Sequence, residues 1–312
     1  MKTVFFGTPD FAVESLDAIM QSPRHEVAAV VTVPDRQAGR GQKVVYSPVK
    51  QYALDQNLPL LQPDKLRDTA FLDALAAIQA DIFVVVAFRM LPEAVWNMPP
   101  HGTFNLHASL LPRYRGAAPI NRAIMCGEKE TGVTTFLLNH HIDEGSILIS
   151  ESTPIAPDET AGSLHDRLSA MGRNLVVRTL DEIEDGSVTP RPQEGEACPA
   201  PKIFKEDCRI DFARTADEVC RHIRGLSPYP AATMTLRSPQ GEEVLFKVFE
   251  AKPQKGSESV PGQIICDGKK VLKIGTSDGF VQILSLQMSG KKRNTTEDFL
   301  RGNKLTDWIL IK

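Results

Sequence analysis

Apolar residues in the first 185 positions alternate between short continuous runs and helical spacing. The short runs, typical of buried strands, lie at residues 3–6, 27–33, 58–61, 82–87 and 102–107. Between them, apolar residues three or four positions apart predict helices, one of which begins at Ser47-Pro48, a capping residue followed by proline. A strand pair at 133–138 and 147–152 precedes a long helix over about 161–185. This alternation predicts a Rossmann-like, doubly wound α/β domain with a mostly parallel sheet.

The pattern changes after a proline-rich segment. Residues 190–204 contain four prolines and show no periodicity, which is typical of an extended linker. Beyond it, Thr215-x-x-Glu218 predicts a capped helix. Short strand-like runs follow at 233–236, 244–249, 263–266, 271–274 and 281–287. One helix and five strands predict a small OB-like β-barrel, so the expected division is 1–189, a linker at 190–204, and 205–312.

Composition narrows the class of protein. Hydrophobic residues make up 42% and charged residues 24% of the 312 positions, as in ordinary globular proteins. The longest apolar run has seven residues, whereas a membrane span needs about 20. The segment before Gly7 is too short for a secretory signal peptide. The five cysteines lack any C-x-x-C spacing, which favours reduced thiols over a zinc site. A soluble cytoplasmic protein is therefore expected.

The charge is distributed unevenly along the chain. The net charge is −3, yet residues 205–312 carry 18 Lys and Arg against 14 Asp and Glu. An acidic first part joined to a basic second part is compatible with steering a polyanion.

The turn after the first strand argues against a dinucleotide site. The sequence there is Gly7-Thr8-Pro9-Asp10-Phe11-Ala12, which lacks the second and third glycines of G-x-G-x-x-G. Pro9 also removes a backbone donor. The sequence has no phosphate-binding Gly-Lys-Ser/Thr loop either, so neither NAD nor a nucleotide triphosphate is expected.

A polar pair lies at the end of a predicted strand. Asn105 and His107 are two positions apart, so both side chains leave the same face of the strand. Open α/β sheets bind ligands at the carboxyl ends of their strands. An asparagine can donate to a developing oxyanion, and a histidine can move a proton near neutral pH. The alternative is a polar pair that is satisfied within the protein.

A second candidate group is His140-His141-Ile142-Asp143-Glu144-Gly145. Adjacent histidines on a regular strand cannot both face one ion, and no H-x-x-x-H spacing occurs, so no metal is expected. A carboxylate delivered on a loop to orient an imidazole is the simpler functional use, and the alternative is a solvated turn.

Two basic segments are candidates for binding a polyanion. The loop 34–50 contains four cations against Asp35, and Gly39 and Gly41 flank Arg40. Glycine frees the backbone to reorganise around a bulky anion, and arginine can fork onto phosphate. On these residues alone, a solvated surface loop is the more common explanation. The candidate contacts are Arg36, Arg40, Lys43, Lys291, Lys292 and Arg293.

Taken together, these motifs resemble the folate-dependent formyltransferases. Asn105-x-His107 runs into Ser109-Leu110-Leu111-Pro112, and Asp143-x-Gly145 follows. The resemblance is greatest to the members that act on methionyl-tRNA, and it extends over nearly the whole chain. Further matching segments are Gly7–Ala12, 34–43, 47–50, 225–232 and 290–292.

The resemblance implies a site and a reaction. Asn105, His107 and Asp143 fall where the family has its catalytic residues, and Ser109, Leu110, Leu111 and Pro112 fall where its backbone contacts the formyl-folate. The implied reaction transfers the formyl group of 10-formyltetrahydrofolate to the α-amine of methionyl-initiator tRNA. Arg40 falls at the family's arginine that reaches the tRNA acceptor arm. The expected partners are this tRNA and the folate, with no metal, no membrane and no second subunit.

Two alternatives are kept. A formyltransferase for a small amine, such as an amino sugar, would have no use for a basic loop like 34–50 that reaches a tRNA. A non-catalytic RNA-binding protein would have no use for Asn105, His107 and Asp143 together.

Overall fold

The computed structural model describes residues 1–38, 43–256 and 258–311. They form two compact units, each built from three segments of the chain. The first unit comprises residues 1–119, 130–153 and 165–200, and the second comprises 120–129, 154–164 and 201–312. The predicted division at 189 and 205 differs from these units, because residues 190–200 group with the first unit and two internal segments group with the second.

The first unit is built around an open sheet. Its strands are β1 (Lys2–Gly7), β2 (Glu26–Val31), β3 (Arg36–Ala38), β4 (Lys43–Val45), β5 (Leu60–Leu61), β6 (Ile82–Val86), β7 (Thr103–His107), β8 (Arg113–Arg115), β9 (Glu130–Leu137), β10 (Ile147–Pro154) and β11 (Cys198–Pro199). The helices of the chain up to residue 184 are α1 (Asp10–Gln21), α2 (Pro48–Asp55), α3 (Thr69–Ala77), α4 (Glu93–Trp96), α5 (Pro119–Cys126) and α6 (Ala161–Glu184). Almost all of α5 and the first turn of α6 group with the second unit.

The strand order of the main sheet is β10-β9-β7-β6-β1-β2-β5. The five strands from β7 to β5 are parallel, whereas β9 pairs antiparallel with β7. Val4, Phe5 and Phe6 of β1 are all fully buried, which requires cover on both faces because successive side chains alternate. The predicted Rossmann-like, mostly parallel sheet is confirmed.

Two smaller pairings flank the main sheet. Strands β3 and β4 form an antiparallel hairpin within the basic loop, and β8 pairs in parallel with β11. The sequence pattern predicted neither pairing, because strands of two or three residues carry too few positions for a period to show.

The second unit contains a barrel-like antiparallel sheet. Its helices are α7 (Ala216–Leu226) and α8 (Thr296–Gly302), and its strands are β12 (Ala232–Arg237), β13 (Glu243–Lys255), β14 (Ile264–Cys266), β15 (Leu272–Gly275), β16 (Gly279–Met288), β17 (Asn294–Thr295) and β18 (Ile309–Ile311). The order is β14-β15-β16-β13-β12-β18, with β17 added to β16. The capping box of Thr215 and Glu218 begins α7, and Ile223 of α7 packs in one core with Phe246 of the sheet. The predicted barrel-like second part is confirmed.

No helix in the described part of the chain is both long and apolar enough to span a membrane.

Candidate active site

The site is centred on the carboxyl end of β7. Phe104 and Leu106 point into the core from one face of this strand, and Asn105 and His107 leave from the other. The sequence therefore places two polar side chains together at the sheet edge where α/β proteins bind ligands.

The ring of His107 is held from one side by the backbone. Its Nε2 lies 2.8 Å from the carbonyl oxygen of Tyr114. A carbonyl can only accept, so Nε2 carries the hydrogen and Nδ1 is the nitrogen that can gain or lose a proton. Nδ1 in turn lies 3.9 Å from Oδ2 of Asp143.

Asp143 presents its carboxylate from a constrained loop. Its side chain is only 15% exposed, and Oδ2 accepts a hydrogen bond from the backbone N–H of Gly116 at 2.9 Å. The carboxylate is thereby held in place facing the ring of His107.

The backbone is strained at two residues beside His107. Tyr114 has φ of 61° and Asp143 has φ of 54°, both in the left-handed region. Each such conformation costs on the order of 1–3 kcal/mol in a non-glycine residue and persists only where the surroundings enforce it.

Gly145 explains how the loop of Asp143 approaches the sheet. A Cβ atom at this position would lie 1.5 Å from the carbonyl oxygen of Leu137, so no side chain fits. The close passage of residue 145 over the end of β9 brings Asp143 back towards β7.

Asn105 has an unsatisfied amide oxygen. Among the described residues, its buried Oδ1 has no hydrogen-bond partner. A buried polar group left unpaired costs about 1–3 kcal/mol, so Oδ1 is available to accept from a ligand that enters the site, whereas any donation from Asn105 must come from Nδ2.

The segment Ser109–Pro112 leaves β7 in a fixed loop. Ser109 is fully buried; its Oγ donates to the carbonyl of Arg113 at 2.6 Å, and its own carbonyl accepts from Oγ1 of Thr134 at 2.7 Å. Leu111 packs with Phe136 and Ile147 in a small apolar cluster. Leu110 and Pro112 are half-buried. The loop therefore offers a rigid backbone next to His107.

Groups that the sequence analysis did not identify complete the surroundings of His107. They are the Tyr114 carbonyl, the Gly116 N–H and Gln193. Backbone groups carry no sequence signature, and Gln193 lies in the proline-rich segment, where no periodic pattern singled it out.

The basic loop is anchored at its base. Nζ of Lys50, a buried lysine, lies 2.7 and 2.6 Å from the two carboxylate oxygens of Asp35 and 4.0 Å from the ring centre of Tyr46. Hydrogen bonds from Lys50 hold the pKa of Asp35 below its ordinary value. Arg36 is exposed at the start of β3, whereas Arg40 and the side chain of Lys43 lie outside the described residues.

The three basic residues of the second unit differ in their surroundings. Lys291 and Lys292 are exposed after β16. Arg293 is also exposed, but its Nη2 lies 2.5 Å from Oε1 of Glu250 and its guanidinium stacks over Phe249 at 4.5 Å. The charge of Arg293 is therefore balanced within the unit.

In the described part of the chain, one group of side chains has the spacing of a metal site. It consists of His25, Asp181 and Glu184. Both carboxylates already pair with Arg24, at 3.1 and 2.7 Å, and burial lowers the pKa of His25. None of the three was a predicted site residue.

The chain is similar to known proteins over both of its units. A family model described as formyl transferase matches residues 1–180, and a model of the formyl transferase C-terminal domain matches residues 202–304. The chain is 53% identical to a methionyl-tRNA formyltransferase of Bacteroides thetaiotaomicron, over 98% of this chain and 97% of that relative. It is 48% identical to one of Flavobacterium johnsoniae, over 98% of both chains.

Solved structures with a similar fold are more distant in sequence. HypX from Aquifex aeolicus in complex with tetrahydrofolic acid has a TM-score of 0.65 at 21% identity, covering 98% of this chain and 48% of that chain. An N-formyltransferase from Helicobacter canadensis, in complex with folinic acid and dTDP-3-aminofucose, has a TM-score of 0.65 at 20% identity, covering 94% of this chain and all of that chain. At these identities the likeness concerns the fold.

Proposed function

The chain belongs to the formyl transferase family, and from this membership we propose that it transfers the formyl group of 10-formyltetrahydrofolate to the α-amine of methionyl-initiator tRNA. Relatives that are about half identical over their whole length are named for this reaction. The product, N-formylmethionyl-tRNA, begins translation.

The observation that carries the chemistry is the grouping of Asn105, His107 and Asp143 at the carboxyl end of β7. The methionyl amine attacks the formyl carbon, which forms a C–N bond and a tetrahedral oxyanion. The amide of Asn105 donates to that oxygen, and one such donor is commonly worth roughly 3–4 kcal/mol in the barrier. The bond from the formyl carbon to N10 then breaks.

His107 moves the proton between the two nitrogens. Because Nε2 is engaged by the Tyr114 carbonyl, Nδ1 takes the proton from the attacking amine and returns it to N10. Asp143 stabilises the imidazolium that exists between these steps. The formyl group is already an activated amide and N10 is a weakly basic aniline, so this chemistry needs no metal.

The folate and the tRNA are assigned to separate surfaces. The backbone of Ser109, Leu110, Leu111 and Pro112 contacts the folate, supported by the fixed shape of that loop. Arg36, Arg40 and Lys43 contact the tRNA from the first unit, and Lys291 and Lys292 from the second. Arg293 contributes less than we expected from the sequence, since Glu250 balances its charge. The enzyme works as a monomer in the cytoplasm.

The assay that tests this function offers both classes of acceptor. The protein is incubated with 10-formyltetrahydrofolate and either methionyl-initiator tRNA or an amino-sugar nucleotide, with uncharged tRNA as control. Mass spectrometry should find formylmethionine after hydrolysis of the charged tRNA. Formylation of the amino sugar alone would establish the small-amine alternative, and formylation of neither acceptor would favour the non-catalytic one.

A further inference from the structure

Gln193 connects the segment after α6 to the loop of Asp143. It is half-buried, and its Nε2 donates to the carbonyl oxygens of Asp143 at 2.8 Å and Gly145 at 2.9 Å. One side-chain amide thus holds both ends of the three-residue turn that carries the catalytic carboxylate.

The other end of the same amide is held by Arg115. Oε1 of Gln193 accepts from Nε of Arg115 at 3.1 Å and from Nη2 at 2.8 Å. A guanidinium can only donate, so it fixes which way the amide faces: oxygen to Arg115, nitrogen to the loop. Nη1 of Arg115 also lies 2.8 Å from Oε1 of Glu144, the middle residue of the turn.

The backbone that delivers Gln193 is anchored on both sides. Arg191 exchanges two backbone hydrogen bonds with Ile147 at the start of β10, at 2.8 and 2.9 Å. Cys198 pairs with β8, and its Sγ accepts from the backbone N–H of Tyr114 at 3.3 Å. Residues 191–198 therefore border the site on the side of both Asp143 and the carbonyl that binds His107.

Asp143 depends on this support because its own backbone conformation is unfavourable. Its φ of 54° lies in the left-handed region, and the two hydrogen bonds from Gln193 fix the carbonyls at both ends of its turn, which sets the carboxylate 3.9 Å from Nδ1 of His107. We propose that Gln193 is a positioning residue for formyl transfer, holding the turn 143–145 so that the carboxylate of Asp143 faces His107. The proposal rests on the proposed function.

The test uses two variants and a double-mutant cycle. Gln193→Glu keeps the oxygen that accepts from Arg115 but loses the N–H groups that donate to the turn. Gln193→Ala loses the acceptor as well as the donors. Each should lower kcat by about 10–100-fold, since small displacements in a reacting geometry are costly. KM for the folate and for the tRNA should stay within about twofold, because no substrate contact is lost. Glu194→Gln, at the exposed neighbouring position, should match the wild type.

The cycle separates positioning from general support of the fold. In an Asp143→Asn background, adding Gln193→Glu should lower kcat by less than about twofold further. The carboxylate through which Gln193 acts is already absent from that background. An equal loss in both backgrounds, or wild-type activity of Gln193→Glu, would overturn the proposal. If Gln193→Glu does not fold, Arg115→Met removes the group that orients the amide and should show the same dependence on Asp143. A wild-type protein that formylates no acceptor would instead refute the proposed function.

Discussion

At the scale of single residues, the two ring nitrogens of His107 have different roles. Nε2 donates to the Tyr114 carbonyl, and Nδ1 is the nitrogen proposed to carry the proton. His107→Gln can still donate to the Tyr114 carbonyl, so the fold should be preserved, but it cannot carry a proton at the position of Nδ1. We expect kcat to fall by about 10²–10⁴-fold, the usual contribution of a positioned acid–base group. Single-turnover kinetics with methionyl-initiator tRNA would measure this, with thermal unfolding as the check on folding. Activity near the wild type would remove His107 from proton transfer.

Asn105 is expected to act on the oxyanion rather than on the proton. Asn105→Ala should lower kcat by about 10²–10³-fold and leave KM for the folate nearly unchanged. It should not destabilise the protein as a core substitution would, because it removes a buried oxygen that has no partner among the described residues. The matched control is Asn97→Ala at an exposed asparagine. A change in KM alone would mean that Asn105 binds the substrate without stabilising the transition state.

The pair of side chains on β7 could be predicted from the sequence, whereas the backbone groups around them could not. Asn105 and His107 could be paired from the sequence because strand alternation places residues two apart on one face. The Tyr114 carbonyl and the Gly116 N–H could not, because the left-handed turns that aim them arise from tertiary contacts. Gln193 is about 50 residues from the loop it holds, and no local pattern encodes a contact at that separation.

At the scale of elements, the hairpin of β3 and β4 is flanked by the ion pair of Asp35 and Lys50. Asp35 directly precedes β3, and Lys50 lies in α2, the helix that follows β4. Lys50→Met removes the cation that holds Asp35 and should lower the free energy of unfolding at neutral pH. The folded pKa of Asp35 lies below its ordinary value of 3.8, so the pair stabilises the fold above that pH. This stabilisation is lost as the pH falls through the folded pKa.

Urea unfolding of Lys50→Met and the wild type at two pH values tests the pair. The difference between them should be largest near pH 7 and should shrink in acid below the ordinary pKa of Asp35. Lys65→Met, at an exposed lysine, should show no such pH dependence. A difference that stays constant into acid would mean that Lys50 stabilises through packing alone.

Arg40 lies in the sequence between β3 and β4, outside the described residues. Because the amine must arrive in a reacting geometry, loss of the tRNA contact on this loop should lower kcat/KM for methionyl-initiator tRNA by more than about tenfold in Arg40→Ala. KM for the folate should not change. Arg40→Lys should recover only part, since an ammonium keeps the charge but not the planar fork. Full recovery by lysine would reduce the role of Arg40 to charge.

At the scale of the whole molecule, the basic second unit should bind tRNA through phosphates. Replacing both Lys291 and Lys292 with glutamine should weaken tRNA binding and reduce the slope of log affinity against log salt by about two, one for each contact. Arg293→Gln should reduce it less, because Glu250 already balances that charge. Fluorescence titration at several salt concentrations measures the slopes. An unchanged slope in the double variant would exclude the two lysines from the phosphate contacts.

The large-scale fold was more predictable than its boundaries. Buried strands such as β6 are apolar throughout and have an unmistakable pattern, and the capping box at Thr215 marks the start of α7. The grouping of residues 120–129 and 154–164 with the second unit has no such marker. Those segments belong there through packing between positions distant in the chain.

The position of Gln193 has a consequence for the order of synthesis. Ribosomes add about 5–20 residues per second, so the 50 residues between Asp143 and Gln193 represent roughly 3–10 s of translation. When Asp143 is made, His107 and every main-sheet strand except β10 precede it in the chain, and β10 follows within a few residues, but the turn that carries Asp143 has no amide to hold it until Gln193 is added. The nascent chain therefore passes through a stage in which the strands of the main sheet have been made but the two hydrogen bonds that hold the turn 143–145 cannot yet form.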